Sequence, residues 1–264
     1  MNPLLFFIAG LFLVGGNEVR AFENHAAAEI GSKLGGDGKR VEVRSKLGPE
    51  ALFGDVYAVT IKASNFTAEG LPLYTEPNRS QRGILRTLNL DLTDFILRDL
   101  HVQSLKAAIP DCRFDLGLAL GKREIRLSRS GEGPGEVVLS ADDLEKFIPI
   151  KFHEVKRVKV RLDKDKVFVD GYGEFVLFDA EFSLVARVEA LEGNKLILAH
   201  ARILIDGKPA DPAAATVLLD TLNPVIDLDK DLLLYGAISV QKIRVADGRL
   251  VAECRTRIPV KTNP

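Results

Sequence analysis

The stretch Phe178-Asp-Ala-Glu-Phe-Ser-Leu-Val-Ala-Arg-Val188 places Phe178, Ala180, Phe182, Leu184, Ala186 and Val188 at every second position. Asp179, Glu181, Ser183 and Arg187 stand between them, and Glu189 follows. Side chains on a strand point to alternate faces, so this period predicts a strand with one buried face and one wet face. The run is longer than a typical strand of about five or six residues. Ala180 and Ala186 are small, which leaves room beside the rings for a neighbouring helix or for an acyl chain.

The same period extends outward from this run. Val158-Lys-Val-Arg-Leu-Asp-Lys-Asp-Lys-Val-Phe-Val169 and Ile243-Arg-Val-Ala-Asp-Gly-Arg-Leu-Val251 both read as strand, acidic turn, strand. Leu184 to Leu198 repeats the pattern, with Glu192-Gly193-Asn194 at its turn. Turn residues of this kind between alternating apolar positions are strong hairpin signals. Three hairpins in the second half predict a meander, not a βαβ unit. Upstream, Val41 and Val43 alternate, as do Tyr57, Val59 and Ile61, then Leu88, Leu90 and Leu92, then Phe114, Leu116, Leu118 and Leu120. A one-sided antiparallel sheet accounts for all of them.

One helix precedes the strands and two interrupt them. Phe22, Ala26, Ile30 and Leu34 lie on one helical face before Gly35-Gly36, which predicts a short helix from Phe22 to Leu34. Ser140 is placed to cap a helix carrying Leu144, Phe147 and Ile148. Asp211-Pro212 opens another, carrying Val217, Leu218, Thr221 and Leu222 and stopping before Pro224. Thr75–Arg82 and Ser128–Gly135 read as polar loops, neither of them long enough for a domain linker. The expected fold is α+β and mostly β. It has a long, curved antiparallel sheet of meander hairpins wrapped around or flanked by a few short helices, in one domain from residue 22 to 264.

Composition narrows the function. The 264 residues carry 36 Lys+Arg against 37 Asp+Glu, with four His, 14 Phe, four Tyr and no Trp. A disordered or polytopic membrane chain is excluded, and so near-neutral a balance argues against a nucleic-acid partner. Pro3 to Gly16 is one apolar and glycine run, shorter than the roughly 20 residues a spanning helix needs. It fits the h-region of a signal peptide spanning residues 1–21, with Val19-Arg20-Ala21 as the cleavage pattern. Met1-Asn2 brings no Lys or Arg to the n-region. The competing reading is a buried N-terminal helix. Export would leave the protein in the periplasm or on the outer face of the cytoplasmic membrane. There, Cys112 and Cys254 would form one disulfide or remain two buried thiols.

Catalytic chemistry is not visible. His25, His101, His153 and His200 are isolated, and no G-x-S-x-G elbow is present. Gly131-Glu-Gly-Pro-Gly135 lacks the Lys-Ser/Thr ending of a phosphate loop. Asp227-Leu-Asp-Lys-Asp231 has acids at positions one, three and five, but Leu232 and Ile238 stand where a calcium loop needs Gly and Glu. It reads as a solvated edge. Gly171-Tyr-Gly173 reads as a bulge or bend. In Lys156-Arg-Val-Lys-Val-Arg161, inward Val158 and Val160 explain most of the charge pattern, with transient membrane-surface contact as the alternative. The expectation is a protein that is not an enzyme and uses no cofactor or metal.

What stands out is apolar supply. A curved sheet with few helices over it either closes or leaves a groove, and grooves lined by Phe and Leu suit acyl chains. The candidate lining is Phe114, Leu116, Leu118, Phe178, Ala180, Phe182, Leu184, Leu218 and Leu222. A dry, filled core remains the alternative from periodicity alone.

The sequence resembles the LmeA-like phospholipid-binding proteins of bacterial cell envelopes. The likeness runs through Arg40-Val-Glu-Val43, Gly54-Asp-Val-Tyr-Ala-Val-Thr-Ile61, Gly70-Leu-Pro-Leu73 and Leu88-Asn-Leu-Asp-Leu92. It continues through Leu139-Ser-Ala-Asp-Asp-Leu144, the Val158–Val169 hairpin and the stretch from Ile238 to Leu250. The leader and an insertion at Thr75–Gly83 depart from the pattern. The resemblance implies a tubular lipid-binding architecture and an exported, non-enzymatic protein that binds phospholipid or another acyl-chain lipid, for carriage or sensing. It brings no ligand residues with it. The competing function is a structural or adaptor protein with a filled core that docks envelope partners by strand addition.

Overall fold

The alternating runs form antiparallel strands in a computed structural model that describes residues 16–122, 124–175 and 179–260. Strands hold 54% of the described residues and helices 20%, so the fold is α+β and mostly β. The chain divides into two compact units. Unit 1 takes residues through Phe95, then Leu105–Gly135 and those from Thr256. Unit 2 takes Ile96–Ser104 and Glu136–Arg255.

Unit 1 holds α1 (Gly16–Ser32), β1 (Arg40–Leu47), β2 (Asp55–Ala68), most of β3 (Gly83–Leu97) and β4 (Leu100–Phe114), α2 (Leu116–Lys122), β5 (Leu127–Arg129) and the start of β6 (Gly133–Ser140). Unit 2 holds the rest of β6, then α3 (Ala141–Lys151), β7 (Val155–Asp163), β8 (Lys166–Glu174), β9 (Asp179–Leu191) and β10 (Lys195–Ile205). It continues with β11 (Lys208–Pro209), α4 (Pro212–Leu222), β12 (Ile226–Asp227), β13 (Ile238–Ala246) and nearly all of β14 (Arg249–Thr256). One sheet is ordered β1-β2-β3-β4-β6-β14-β13 with β5 on β4, the other β11-β10-β9-β8-β7 with β12 on β10. The chain passes between units inside β3, β4, β6 and β14, which is why no linker composition marks the division.

Unit 1 has its own apolar core. Val43, Leu85, Leu88, Ile109, Phe114 and Leu127 pack together, with Ala26, Ala27 and Ile30 of α1 against them. The helix is fastened by Glu23, which is buried and accepts hydrogen bonds from the Ser45 amide at 2.7 Å and hydroxyl at 2.6 Å. Burial opposes ionisation of Glu23, but these bonds and the one from Arg44 prevail and hold the carboxyl below its usual range. The predicted helix Phe22–Leu34 therefore starts earlier and ends sooner, at Gly16 and Ser32, and runs through the expected cleavage position.

Two expectations are corrected in unit 1. The period-two reading of Phe114, Leu116, Leu118 and Leu120 fails, because β4 stops at Phe114 and α2 begins at Leu116. Asp115 makes the change: its side chain accepts from the Leu118 amide and its carbonyl from the Ala119 amide. A short apolar run carries no clear period of its own, and the capping acid decides. Second, Ser128–Gly135 is not a polar loop throughout, since β5 holds Ser128 in a buried position and β6 begins at Gly133.

The three glycines of Gly131-Glu-Gly-Pro-Gly135 serve close backbone approach. A Cβ at Gly133 would stand 2.0 Å from the Ala108 carbonyl oxygen, one at Gly131 2.7 Å from that of Pro110, and one at Gly135 2.4 Å from a Thr256 methyl. Gly133→Ala is therefore expected to destabilise the protein by about 3 kcal/mol or more, read as a lowered melting temperature. An unchanged melt would refute the close approach.

Unit 2 contains the alternating run that ends at Val188. Along β9, Ala180, Phe182, Leu184 and Ala186 are buried while Asp179, Glu181 and Arg187 are exposed. Strands β7 to β10 form the predicted meander in a curled antiparallel sheet, with bulges between Val155 and Arg157 and between Ala199 and Arg202. The turns match their residues: Lys164-Asp165 and Asp247-Gly248 have positive φ throughout, as does Glu192-Gly193. The third hairpin, β13–β14, lies in the other sheet, outside the meander. The bulge lies on β7 between Val155 and Arg157, directly opposite Gly173 and Tyr172, so the glycines face it and do not themselves form it. β8 pairs regularly with β9 across both, and each glycine is covered by a ring, Phe182 over Gly171 and Phe175 over Gly173.

The two predicted helices of this unit form as their caps require. Ser140 and Asp143 make a full capping box at α3. Asp211 accepts from the amides of Ala213 and Ala214 at α4, with Pro212 in the first turn.

Candidate functional site

Because β7 to β10 alternate, one face of the meander is wholly apolar, and α3 and α4 lie against it on β7 and β10. The helices present leucines and an isoleucine to this face. Between them and the sheet lies a cavity of about 30 Å³. Its walls come from Leu144 and Ile148 of α3, Val167 and Val169 of β8, Phe182 and Val188 of β9, and Leu196 and Leu198 of β10. Phe152, Val160, Leu222, Val225, Ile226 and Leu250 complete them. Every one of these side chains is apolar, so the space stays dry. An apolar cavity of about 150 Å³ accepts benzene; this one must widen several-fold before an acyl chain enters.

The cavity rim is polar and tied. Lys151, the last residue of α3, donates to the carbonyl oxygens of Pro224 at 2.7 Å and Val225 at 3.2 Å, and to Asp231 Oδ2 at 2.6 Å. Its ammonium also lies 5.0 Å from the ring centroid of Phe152. The loop that follows braces itself. Asp227 Oδ1 accepts from the amides of Asp229 and Lys230, Asp231 Oδ2 from the Asp227 amide, and Asp229 from Gly236 and Asn194. The acids of Asp227–Asp231 are thus engaged within the fold, and Asp227 is buried, where the sequence suggested a solvated edge. Among the described residues no group of three or more His, Cys, Asp or Glu could hold a metal ion. His101 Nδ1 lies 2.7 Å from Asp143 Oδ1 at the α3 cap.

The residues singled out from sequence fall in three places. Phe182 and Leu222 line the cavity. Ala180, Leu184 and Leu218 are buried in the same unit. Phe114, Leu116 and Leu118 belong to unit 1, where Phe114 sits in the core with Leu116 packed against it and Leu118 is half-buried on α2. Phe178 lies outside the described residues. The strand-face argument thus merged two separate apolar clusters. It missed Leu144, Ile148 and Val225, whose signal was the capped helix and the turn after α4. The disulfide alternative is also corrected. Cys112 and Cys254 are free, buried, and divided between the two units. Each thiol instead reaches a nearby carbonyl, Cys112 that of Pro110 and Cys254 that of Ala252. Burial pushes Cys112 up to about 11 and Cys254 up to about 12.

Among the described residues no helix is long and apolar enough to cross a membrane. Compared with known proteins, the sequence model of one family, described as LmeA-like phospholipid-binding, matches residues 18–255. No curated protein and no solved structure matches.

Proposed function

The chain belongs to the LmeA-like phospholipid-binding family, and from that premise we propose that it seats a phospholipid acyl chain in unit 2, between α3, α4 and the meander. The observation that carries this reading is the wholly apolar wall of that cavity. Removing apolar surface from water is worth about 25 cal/mol per Å², so a single chain enclosed there supplies several kcal/mol without any polar contact. The protein works without covalent chemistry, as a lipid carrier or sensor.

We place it outside the cytoplasmic membrane, in a bacterial envelope. The apolar run Pro3–Gly16 and the Val19-Arg20-Ala21 boundary support export. Cleavage after Ala21 would keep Glu23, and with it the fastening to Ser45, in the mature chain.

Native mass spectrometry of gently purified protein tests the reading. Co-purified phospholipid is the expected result. Lipid-free spectra, together with no transfer from phosphatidylglycerol vesicles, would defeat it. The small volume favours a second reading, an adaptor with a filled core, and the same spectra separate the two.

A further inference from the structure

We infer that an acyl chain reaches the cavity between the C-terminal end of α3 and residues 223–226, and that Lys151 is the latch on that passage. The inference rests on the seat proposed above and adds the way in and its gate.

The two borders of this seam both contribute cavity wall: Ile148 and Phe152 on one side, Leu222, Val225 and Ile226 on the other. Each border is fixed to the sheet independently. On α3, Glu145 accepts from the Val160 amide and pairs with Lys159. On the other side, Asn223 bonds both the amide and the carbonyl of Leu198, and the Val225 amide donates to the Leu196 carbonyl. Lys151 is different, because its three hydrogen bonds run across the seam. Parting the borders breaks these bonds and leaves the anchors to the sheet in place.

The chemistry of the tie suits a gate. Lys151 and Asp231 are each mostly shielded, with side chains 17% and 20% exposed. Such a pair gains little net stability over apolar packing, since desolvation offsets most of the attraction. It does fix one geometry. In that geometry the cavity holds about 30 Å³, too little for a chain. Ile150, next to the latch in sequence, is 49% exposed.

The test uses the full chain, with cis-parinaric acid and pyrene-labelled phosphatidylglycerol vesicles as probes. Lys151→Met keeps the length of the stem and removes the charge. Lys151→Met with Asp231→Asn also removes the carboxylate left uncompensated, while retaining an oxygen for the Asp227 amide. Both variants should take up each probe about fivefold faster or more, the change expected from lowering a barrier by about 1 kcal/mol. A second readout needs no variant. Acetic anhydride should acetylate wild-type Lys151 slowly relative to exposed Lys159, and several-fold faster once phosphatidylglycerol vesicles are added. Unchanged or slower uptake in the variants, with Lys151 still protected when lipid is bound, overturns the latch and leaves the seat standing. Wild-type protein that takes up neither probe overturns the seat, and the latch with it.

Discussion

A Val188→Phe variant is expected to lose phospholipid binding by about tenfold or more, a change of about 1.4 kcal/mol, while melting within a few degrees of wild type. Val188 lines the cavity from β9, opposite Leu198 on β10, and is only half-buried. A ring at this position projects into space that no other side chain occupies, so it fills the cavity at modest strain. Overpacking a core costs about 1–3 kcal/mol where there is no room, and here part of that cost is offset by the new contacts. Titration with pyrene-labelled phosphatidylglycerol vesicles, alongside thermal melting, measures both quantities. Binding at the wild-type level with a normal melt would remove this cavity as the seat of the chain.

Phe182→Ala should do the reverse. Phe182 is 2% exposed, meets Phe175 edge-on with centroids 5.9 Å apart, and covers Gly171. Truncating a buried phenylalanine costs about 3–5 kcal/mol, or a melting temperature lower by roughly 10 °C for a chain of this size. The same truncation enlarges the cavity. Saturating phospholipid should therefore recover more of the lost stability in this variant than it adds to the wild type, since a ligand that binds only the folded state stabilises by mass action. A loss under 1 kcal/mol would show that Phe182 is not a core residue. Recovery no greater than in the wild type would show that the space it vacates is not where lipid goes.

Much of unit 2 is legible in the sequence. The period of two from Ala180 to Val188 predicts the buried face of β9, and the residues at Lys164-Asp165 and Glu192-Gly193 predict its neighbours. Ser140 and Asp211 announce α3 and α4 through local hydrogen bonds that need no tertiary knowledge. Other features depend on contacts distant in sequence. That Phe114 and Phe182 serve different clusters depends on the division of the chain, and its crossing points are ordinary strand residues. The role of Gly133 depends on how near Ala108 comes. Glycine at alternate positions 133 and 135 is the available signal, since that spacing puts both on one face of β6. The cavity is least legible of all, because its walls are the same valines and leucines that a solid core would use.

The two buried thiols give the molecule a pair of silent chemical clocks. With thiol pKa values raised to about 11 and about 12, only about one molecule in ten thousand or fewer carries a reactive thiolate at neutral pH. An alkylating reagent thus finds neither sulfur until the surrounding structure opens. Cys112 sits in one unit and Cys254 in the other, so the two alkylation rates, resolved by peptide mapping, time the opening of each unit separately. Only the rate at Cys254 should slow when a lipid occupies unit 2.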